Sequence, residues 1–516
     1  MLFRMAVSRR KFLSGSGLAA ASIGAFPHIA RPVDATAVRP GQKPSKIIHL
    51  VADGMSLATL SMADQLAHLS RKRGLAWLDL HKRRAAQQGL MDMRSLNSLV
   101  TDSSAASSSW ASGSRIVNGT VNILPDGQEL TTLYELFGQA GWKRGLVTTA
   151  EITHATPAGF AAKGLKREAA EAIATQYLER GVEVLLGGGR KFFDKTKRKD
   201  KRDVYADYRA KGYALLDDTA TLAAAPLDKP WLGTFAASHL PFTVDHTHDV
   251  TLTKSVPTLA AMTKRALEKL ARHERFILQV EGGRVDHGCH MNDAAAAFFD
   301  QIAFDEALEV CLEFQRQHAD ALLVITTDHS TGNPGLNGTG KNYSISPLLF
   351  SNLLEVKASF SEILIKLGAA PDPKKPVVPG EAEKKLTPVI EPDKIAAVIK
   401  EGTGYDISTS RAKLLVPFLK KEGAPLYTMM NSLTCQLGQL LANYTAVGWT
   451  GNAHTSDYVP ISSIGPGAER FVGFIQNTDV FRHYTDLAGI DFRNPESPLI
   501  GASVPENRGL SSHWMA

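Results

Sequence analysis

The chain has 516 residues, of which 44% are hydrophobic and 21% charged, with a formal net charge of +6. This balance excludes an intrinsically disordered chain, and the length allows one large α/β core with further structure attached to it. Most of the positive charge sits in the first 37 residues, where Arg4, Arg9, Arg10, Lys11 and Arg31 are set against Asp34 alone; the remainder is too nearly neutral to call for a nucleic-acid partner.

The N-terminus reads as an address. Ser8-Arg9-Arg10-Lys11-Phe12-Leu13 precedes a mildly apolar run, Leu18 to Phe26, and Ala35-Thr36-Ala37 offers a small-residue cleavage site. This is the pattern of a twin-arginine export signal over residues 1–37, and it predicts a periplasmic or secreted protein that folds before export. Downstream there is no run of 18 apolar residues, so no membrane anchor is expected.

Four apolar stretches then stand out. Lys46 to Ala52 runs into Asp53-Gly54. Gly145 to Thr149 is followed by His154 and Thr156. Phe276 to Val280 ends at Glu281, with Asp286 and His290 shortly after. Ala321 to Thr327 ends at Asp328-His329. Continuous apolar runs suit strands buried on both faces of a parallel sheet. Open α/β sheets bind ligands outside the carboxyl ends of their strands. Carboxylates and imidazoles far apart in sequence should therefore meet in one cleft, which points to a metalloenzyme. Strand-like and helix-like stretches alternate from Ser45 to Ser330, which predicts an α/β fold with a doubly wound, mostly parallel central sheet flanked by helices.

Between the first two of these strands, Val100 to Gly113 (VTDSSAASSSWASG) is rich in small residues. They suit a helix packed closely against the sheet, with Ser103 at its start, where the helix dipole and backbone N–H groups favour a phosphate-like anion. From Arg190 to Arg202 a dense basic stretch (RKFFDKTKRKDKR) reads as a solvated surface loop. Asp286 and His290 are four apart, so one helical turn aims both at one ion; Cys289 faces elsewhere and is read as structural. With only Cys289, Cys311 and Cys435, no disulfide framework is expected. Asp293 starts an amphipathic helix through about Gln317, and residues 332–340 form a turn cluster.

From there the pattern changes. Pro371 to Asp393 holds six prolines and reads as an exposed excursion, with helices on either side, one of them around Met429–Ala442. The expected organisation is a catalytic core over 38–340, an insertion or cap over 341–446, a return to the core over 447–492 that brings in His454 and a strand from Tyr458 to Ser462, and a C-terminal tail over 493–516.

Six of these segments, in this order, resemble the alkaline phosphatases: Asp53-Gly54-Met55, Val100 to Gly113, His154-Ala155-Thr156-Pro157-Ala158, Val280 to His290, Thr327-Asp328-His329-Ser330 and Ala453-His454-Thr455. The resemblance covers roughly Ile47 to Ser330 and 448–490. It implies hydrolysis of phosphate monoesters through a phosphoserine on Ser103, two Zn²⁺ and one Mg²⁺, an alkaline optimum, and a homodimer. Asp286, His290 and His454 are implied as ligands of the first zinc, and Asp53, Asp328 and His329 of the second, beside Ser103. Asp53 would also bridge to a third metal held with Thr156 and Glu281, where oxygen ligands favour Mg²⁺. His154 stands where the best-known bacterial pattern has aspartate; it would reach the third metal or its waters and admit a softer ion. His287 stands where that pattern has lysine; near the phosphate and neutral at high pH, it would hold product less tightly.

Arg167, eleven residues after Thr156, is implied as the phosphate clamp, oriented by Asp102. Counting without gaps from Trp110 selects Ser103 over Ser104, and leaves Ser104 a packing role. Two alternatives remain. A phosphodiesterase of the same superfamily would tend to lack the third-metal residues, and a non-enzymatic periplasmic metal- or phosphate-binding protein would not need the serine and arginine. A sulfatase is excluded because neither Cys289 nor Cys311 is followed by Pro-x-Arg.

Overall fold

The computed structural model describes residues 42–338, 343–370 and 387–500. Residues 1–37, where an export signal is expected, and most of the proline-rich stretch lie outside the described residues. Fourteen strands occur among those described: β1 (Lys46–Val51), β2 (Gln87–Asp92), β3 (Lys143–Glu151), β4 (Val184–Gly188), β5 (Ala214–Leu216), β6 (Trp231–Thr234), β7 (Phe276–Glu281), β8 (Ala321–Thr326), β9 (Ser330–Thr331), β10 (Gly335–Leu336), β11 (Val447–Gly448), β12 (His454–Thr455), β13 (Val459–Ile464) and β14 (Gly473–Gln476).

Ten of them form one sheet in the order β14-β2-β13-β8-β1-β7-β3-β4-β6-β5. All pairings are parallel except those of β13, which runs antiparallel to both β8 and β2. The four ligand-bearing strands expected from sequence are thus four central neighbours, β8, β1, β7 and β3. Their ends are in register: Val51 lies opposite Glu281 and Thr326, and Thr148 lies opposite Glu281. Alternate residues feed two apolar layers. Ile48, Leu50, Leu278 and Leu323 face one, and Ile47, Val51, Ile277 and Val324 face the other. Burial on both faces explains the unbroken apolar runs, each such side chain contributing about 1.5–3 kcal/mol.

The long helix predicted after Asp293 spans Ala294–Gln317. Asp293 caps it by accepting the Ala296 N–H, and Phe298, Ile302, Leu308 and Leu312 are buried. The helix predicted around 429–442 spans Leu433–Thr445, and Pro392 opens the helix Pro392–Thr403, a position that tolerates its missing N–H. From the region after 341, Phe350, Leu353, Phe360, Ile363, Ile399 and Leu437 join the same apolar layer as Ile48 and Leu50.

One expectation is extended and another corrected. The small-residue helix, Ser103–Ser112, packs on the sheet, where Ala106, Trp110 and Ala111 join the layer of Ile47 and Val51 and the Trp110 ring meets His49 at 4.9 Å, and it also packs against the helices Ala155–Ala161 and Asn477–Ala488. The approach is close: a Cβ at Gly159 would stand 2.4 Å from Ser107 Oγ. Small residues serve a helix–helix contact here, and Ser107 Oγ donates across it to the Thr156 carbonyl at 2.6 Å. In the basic stretch, Arg198 is not solvated. It is 2% exposed and donates to the carbonyls of Glu171 and Phe192, so it anchors the loop from inside. All three cysteines are free and buried. Among the described residues, no helix is long and apolar enough to cross a membrane.

Candidate active site

Ligand-type side chains gather above the carboxyl ends of the central strands in three groups: Asp53, Asp328 and His329; Asp53, His154 and Glu281; and Asp286, His290 and His454. Within each, one potential ligand atom per residue lies within 4.8 Å of the others. The first two groups come from strand ends. Asp53 follows β1, Asp328 and His329 follow β8, Glu281 closes β7, and His154 opens the helix after β3. Gly54 allows this crowding. Its φ is 70°, and a Cβ there would stand 2.5 Å from Asp286 Oδ1, so a side chain would strike the ligand it borders. Its N–H donates to Asp328 Oδ1 at 3.0 Å and fixes that carboxylate.

These groups carry negative charge with too little compensation. Neither oxygen of Asp53 has a hydrogen-bond donor among the described residues, nor does Glu281 Oε1; the buried Thr156 hydroxyl and His154 Nδ1 are likewise without partners. Burial, then the carboxylates of Asp328, Asp286 and Glu281, raise the Asp53 carboxyl well above its usual range. Burial pushes Glu281 up to about 7, against a hydrogen bond from Thr148. Buried carboxylates without partners are costly, and a cation among them removes the cost. The donor set therefore fits divalent ions.

The third group reaches the same conclusion through tautomers. His290 Nδ1 contacts the Asn452 carbonyl at 2.5 Å and His454 Nδ1 the Thr101 carbonyl at 2.9 Å. A carbonyl only accepts, so both Nδ1 atoms carry hydrogen and both Nε2 atoms, in the neutral rings, are lone-pair donors to a metal. Those two Nε2 atoms stand 3.0 Å apart, and Asp286 Oδ2 is 3.2 Å from the His290 one. Two lone pairs pointed at one place call for a cation or a proton between them. Without one, burial opposes charge on His290, but the Asp286 carboxylate outweighs it and raises the ring to about 9; burial and then His329 lower His454 to about 4. His454 reaches the site through a two-residue antiparallel ladder, β12 on β9, in which His454 pairs with Thr331.

Ser103 is buried at the first position of its helix, and its Oγ is 3.2 Å from His329 Nε2, at the edge of the Asp53 group. Ser104 points away. Its hydroxyl donates to both oxygens of Asp102, each at 2.9 Å, so the packing role expected of Ser104 is incomplete. Asp102 caps the helix through the Ala105 N–H, accepts from the Gly119 N–H, and pairs with Arg167 Nη1 at 3.0 Å. Burial works against its charge, but Arg167 and these hydrogen bonds hold the carboxyl below its usual range. Arg167 is thus tied to the helix that presents Ser103.

His287 lies beside the clusters rather than in one. Arg284 Nη1 contacts its Nδ1 at 2.8 Å, and the ring of His239 packs on it at 4.3 Å between centroids. Burial, then Arg284, keep His287 well below the usual histidine range. Arg284 faces His287 and the Phe242 ring, while Glu281 accepts from Thr148.

Some contributors have no distinctive sequence signal. His239 is a lone histidine on a loop. Thr331 donates to Asp286 Oδ1 at 2.6 Å and lies 3.2 Å from His329 Nδ1, so one hydroxyl orients ligands of two groups. Only its place two residues after His329 hinted at it.

A doubly wound sheet that converges carboxylates, imidazoles and a helix-start serine on one cleft defines a metal-dependent hydrolase. Residues 45–372 match the sequence profile of the family described as "Alkaline phosphatase". The chain is 30% identical over 393 residues to alkaline phosphatase 3 of Bacillus subtilis (strain 168), covering 74% of this chain and 76% of that one. Among solved structures it is similar to the Thermus thermophilus alkaline phosphatase, with a TM-score of 0.79 and 33% identity over 89% of this chain and 94% of the other. A cold-active alkaline phosphatase from a Shewanella species gives 0.69 and 27% over 86% and 99%. The chain belongs to the alkaline phosphatase family, and its activity is phosphate-monoester hydrolysis of the alkaline phosphatase type at a metal cluster.

Proposed function

We propose that the protein hydrolyses phosphate monoesters in two in-line steps through a phosphoserine on Ser103. The observation that carries this reading is the position of Ser103 Oγ, 3.2 Å from His329 Nε2 beside the most buried ligand group and on a helix tied through Asp102 to Arg167. Asp286, His290 and His454 suit Zn²⁺, as do Asp53, Asp328 and His329; Asp53, Glu281 and Thr156, with His154, suit Mg²⁺ or a somewhat softer divalent ion. Such ions, if bound, would supply Lewis-acid charge to the reacting phosphate.

The chain's own residues do the rest. The buried Ser103 oxygen attacks phosphorus; the bond from Oγ to phosphorus forms as the ester bond breaks, and the hydrogen lost from Ser103 Oγ is balanced by the one gained by the departing alcohol. Arg167 and the helix start hold the equatorial oxygens, where charge accumulates. Water then attacks the phosphoserine from the vacated side, phosphate departs, and Ser103 Oγ regains its hydrogen. His287, kept uncharged by burial and Arg284, offers the product a weaker grip than a lysine would.

The wider reading is a homodimer exported to the periplasm or beyond by its twin-arginine signal, in which residues 38–340 and 447–492 form the catalytic core and 341–446 an insertion. Its test is the exported, metal-replete protein and its Ser103→Ala variant on an aryl monoester and a diester, with metals counted by mass spectrometry. Turnover should fall by at least about 10³-fold in Ser103→Ala at unchanged metal content, and monoester should be preferred. Full turnover in that variant would exclude the serine, and a faster diester reaction would favour the phosphodiesterase alternative.

A further inference from the structure

The turn Met291-Asn292-Asp293 joins the helix bearing Asp286 and His290 to the long helix Ala294–Gln317, and distant parts of the chain close on it. Asn292 is 1% exposed and has φ 54°, a left-handed conformation that asparagine tolerates better than most residues. Its amide nitrogen donates to the Gly451 carbonyl at 2.7 Å and to the Cys289 carbonyl at 3.1 Å. Both partners only accept, so the NH₂ group must face them. The neighbouring Asn452 carbonyl takes the hydrogen of His290 Nδ1. The segment that delivers His454 is therefore fastened to the helix of Asp286 and His290 at two successive carbonyls, one of them held by Asn292. From the other side, the inserted helix Leu433–Thr445 approaches so closely that a Cβ on Gly438 would stand 2.7 Å from the Asn292 carbonyl oxygen. Asp293 also holds the inserted region, accepting the Phe360 N–H at 2.6 Å.

We propose that Asn292 is the positioning residue of the Asp286–His290–His454 group, and that the inserted helix braces it at Gly438. By tying Gly451 to Cys289, the Asn292 amide sets how far His454 stands from Asp286 and His290. Ligands held at fixed separation bind an ion without first being ordered, and partners behind the ligands govern affinity for that reason. This also assigns work to the inserted region: its helix presses on a turn through which the core orients this group.

The proposal rests on the reading that these three side chains hold a divalent ion, so the experiment tests that reading separately. Metal-free wild-type, Asn292→Gly, Gly438→Ala and His454→Ala proteins are titrated with Zn²⁺ against a chromophoric chelator. Asn292→Gly keeps the left-handed backbone and removes only the amide. His454→Ala should bind one ion fewer than wild type; if it binds the same number, the site reading fails. Asn292→Gly should bind the wild-type number, one of them about 10- to 100-fold more weakly, with the others unchanged. Gly438→Ala should weaken the same ion to a smaller degree. Wild-type affinity for every ion in Asn292→Gly, or equal weakening of all of them as a general loss of structure would give, overturns the positioning role. If Asn292→Gly does not fold, Gly438→Ala decides by the same criteria.

Discussion

The two ends of the metal site are built differently. At one end, Asp53, Asp328, His329 and Glu281 stand directly on or just beyond three neighbouring strands, each at most 1% exposed. At the other, Asp286 and His290 share one helical turn, and His454 arrives on a two-residue ladder; the His290 side chain keeps 36% of its exposure. The strand ends inherit rigidity from a sheet buried on both faces. The helix-borne group owes its geometry to hydrogen bonds at Asn452, Thr101, Gly451 and Thr331. A site that must place charge on both sides of a phosphorus can thus combine a rigid wall with an adjustable one.

Removing Asp53 should break the contrast most severely, because Asp53 belongs to both strand-end groups. Asp53→Asn is expected to lose ions from both while the His454 group keeps its own, and to lower turnover by about 10²–10³-fold or more. Counting metals after dialysis, beside the assay, checks it. Retention of every ion would mean that the two groups do not depend on the shared carboxylate.

Acidification should sharpen the contrast. The metal-free His290 ring is raised from 6.5 to about 9, so an ion entering there displaces its proton. Below about pH 9 that ion should weaken about tenfold per pH unit for one displaced proton, levelling off above. Glu281, raised to about 7, imposes the same competition from near neutrality downward on the group it shares with Asp53, whose carboxyl is raised as well. Chelator titration across pH 6–10 should therefore show the ion of the helix-borne group weakening steadily below about pH 9. The opposite sign holds for the fold without metal: the proton on His290 contributes stability that is complete below about 6.5 and lost as pH rises through about 9, which thermal melts of the metal-free protein would register.

The smallest effect is expected at Ser104. Its hydroxyl shares the charge of Asp102 with Arg167, while the Ala105 and Gly119 N–H groups already fix the carboxylate in place. Ser104→Ala should leave Asp102 oriented but concentrate its charge on Arg167, drawing the guanidinium back from the phosphate. Competitive inhibition by inorganic phosphate should weaken by about 2- to 10-fold, the worth of one hydrogen bond to a charged network. Tighter inhibition would mean that Ser104 acts by orienting Asp102 instead.

Much of this site was legible because a parallel sheet writes itself plainly in sequence. Strands covered on both faces must be apolar throughout, so the change from Val51 or Ile325 to Asp53 or Asp328 marks where a strand leaves the core. The spacing of Asp286 and His290 carried its helical turn in the same way, and Asp293 announced the long helix by its cap. Ser104 and Arg198 were misjudged because hydroxyls and guanidiniums take their roles from whatever they happen to touch.

By itself, then, the sequence determined the sheet, the four strands that end at ligands, the serine at a helix start, and the arginine paired to Asp102, since each follows from local pattern or from a motif that keeps its order. Tertiary structure decided which neighbours complete the site: Thr331 between two groups, His239 against the His287 ring, and Asn292 on the Gly451 carbonyl with the helix Leu433–Thr445 packed on its turn. Apart from the local contact of Thr331 with His329, these contacts join residues from 45 to 159 positions apart. No periodicity links such residues; they meet because the core, once packed, leaves them no other place to put their hydrogen bonds.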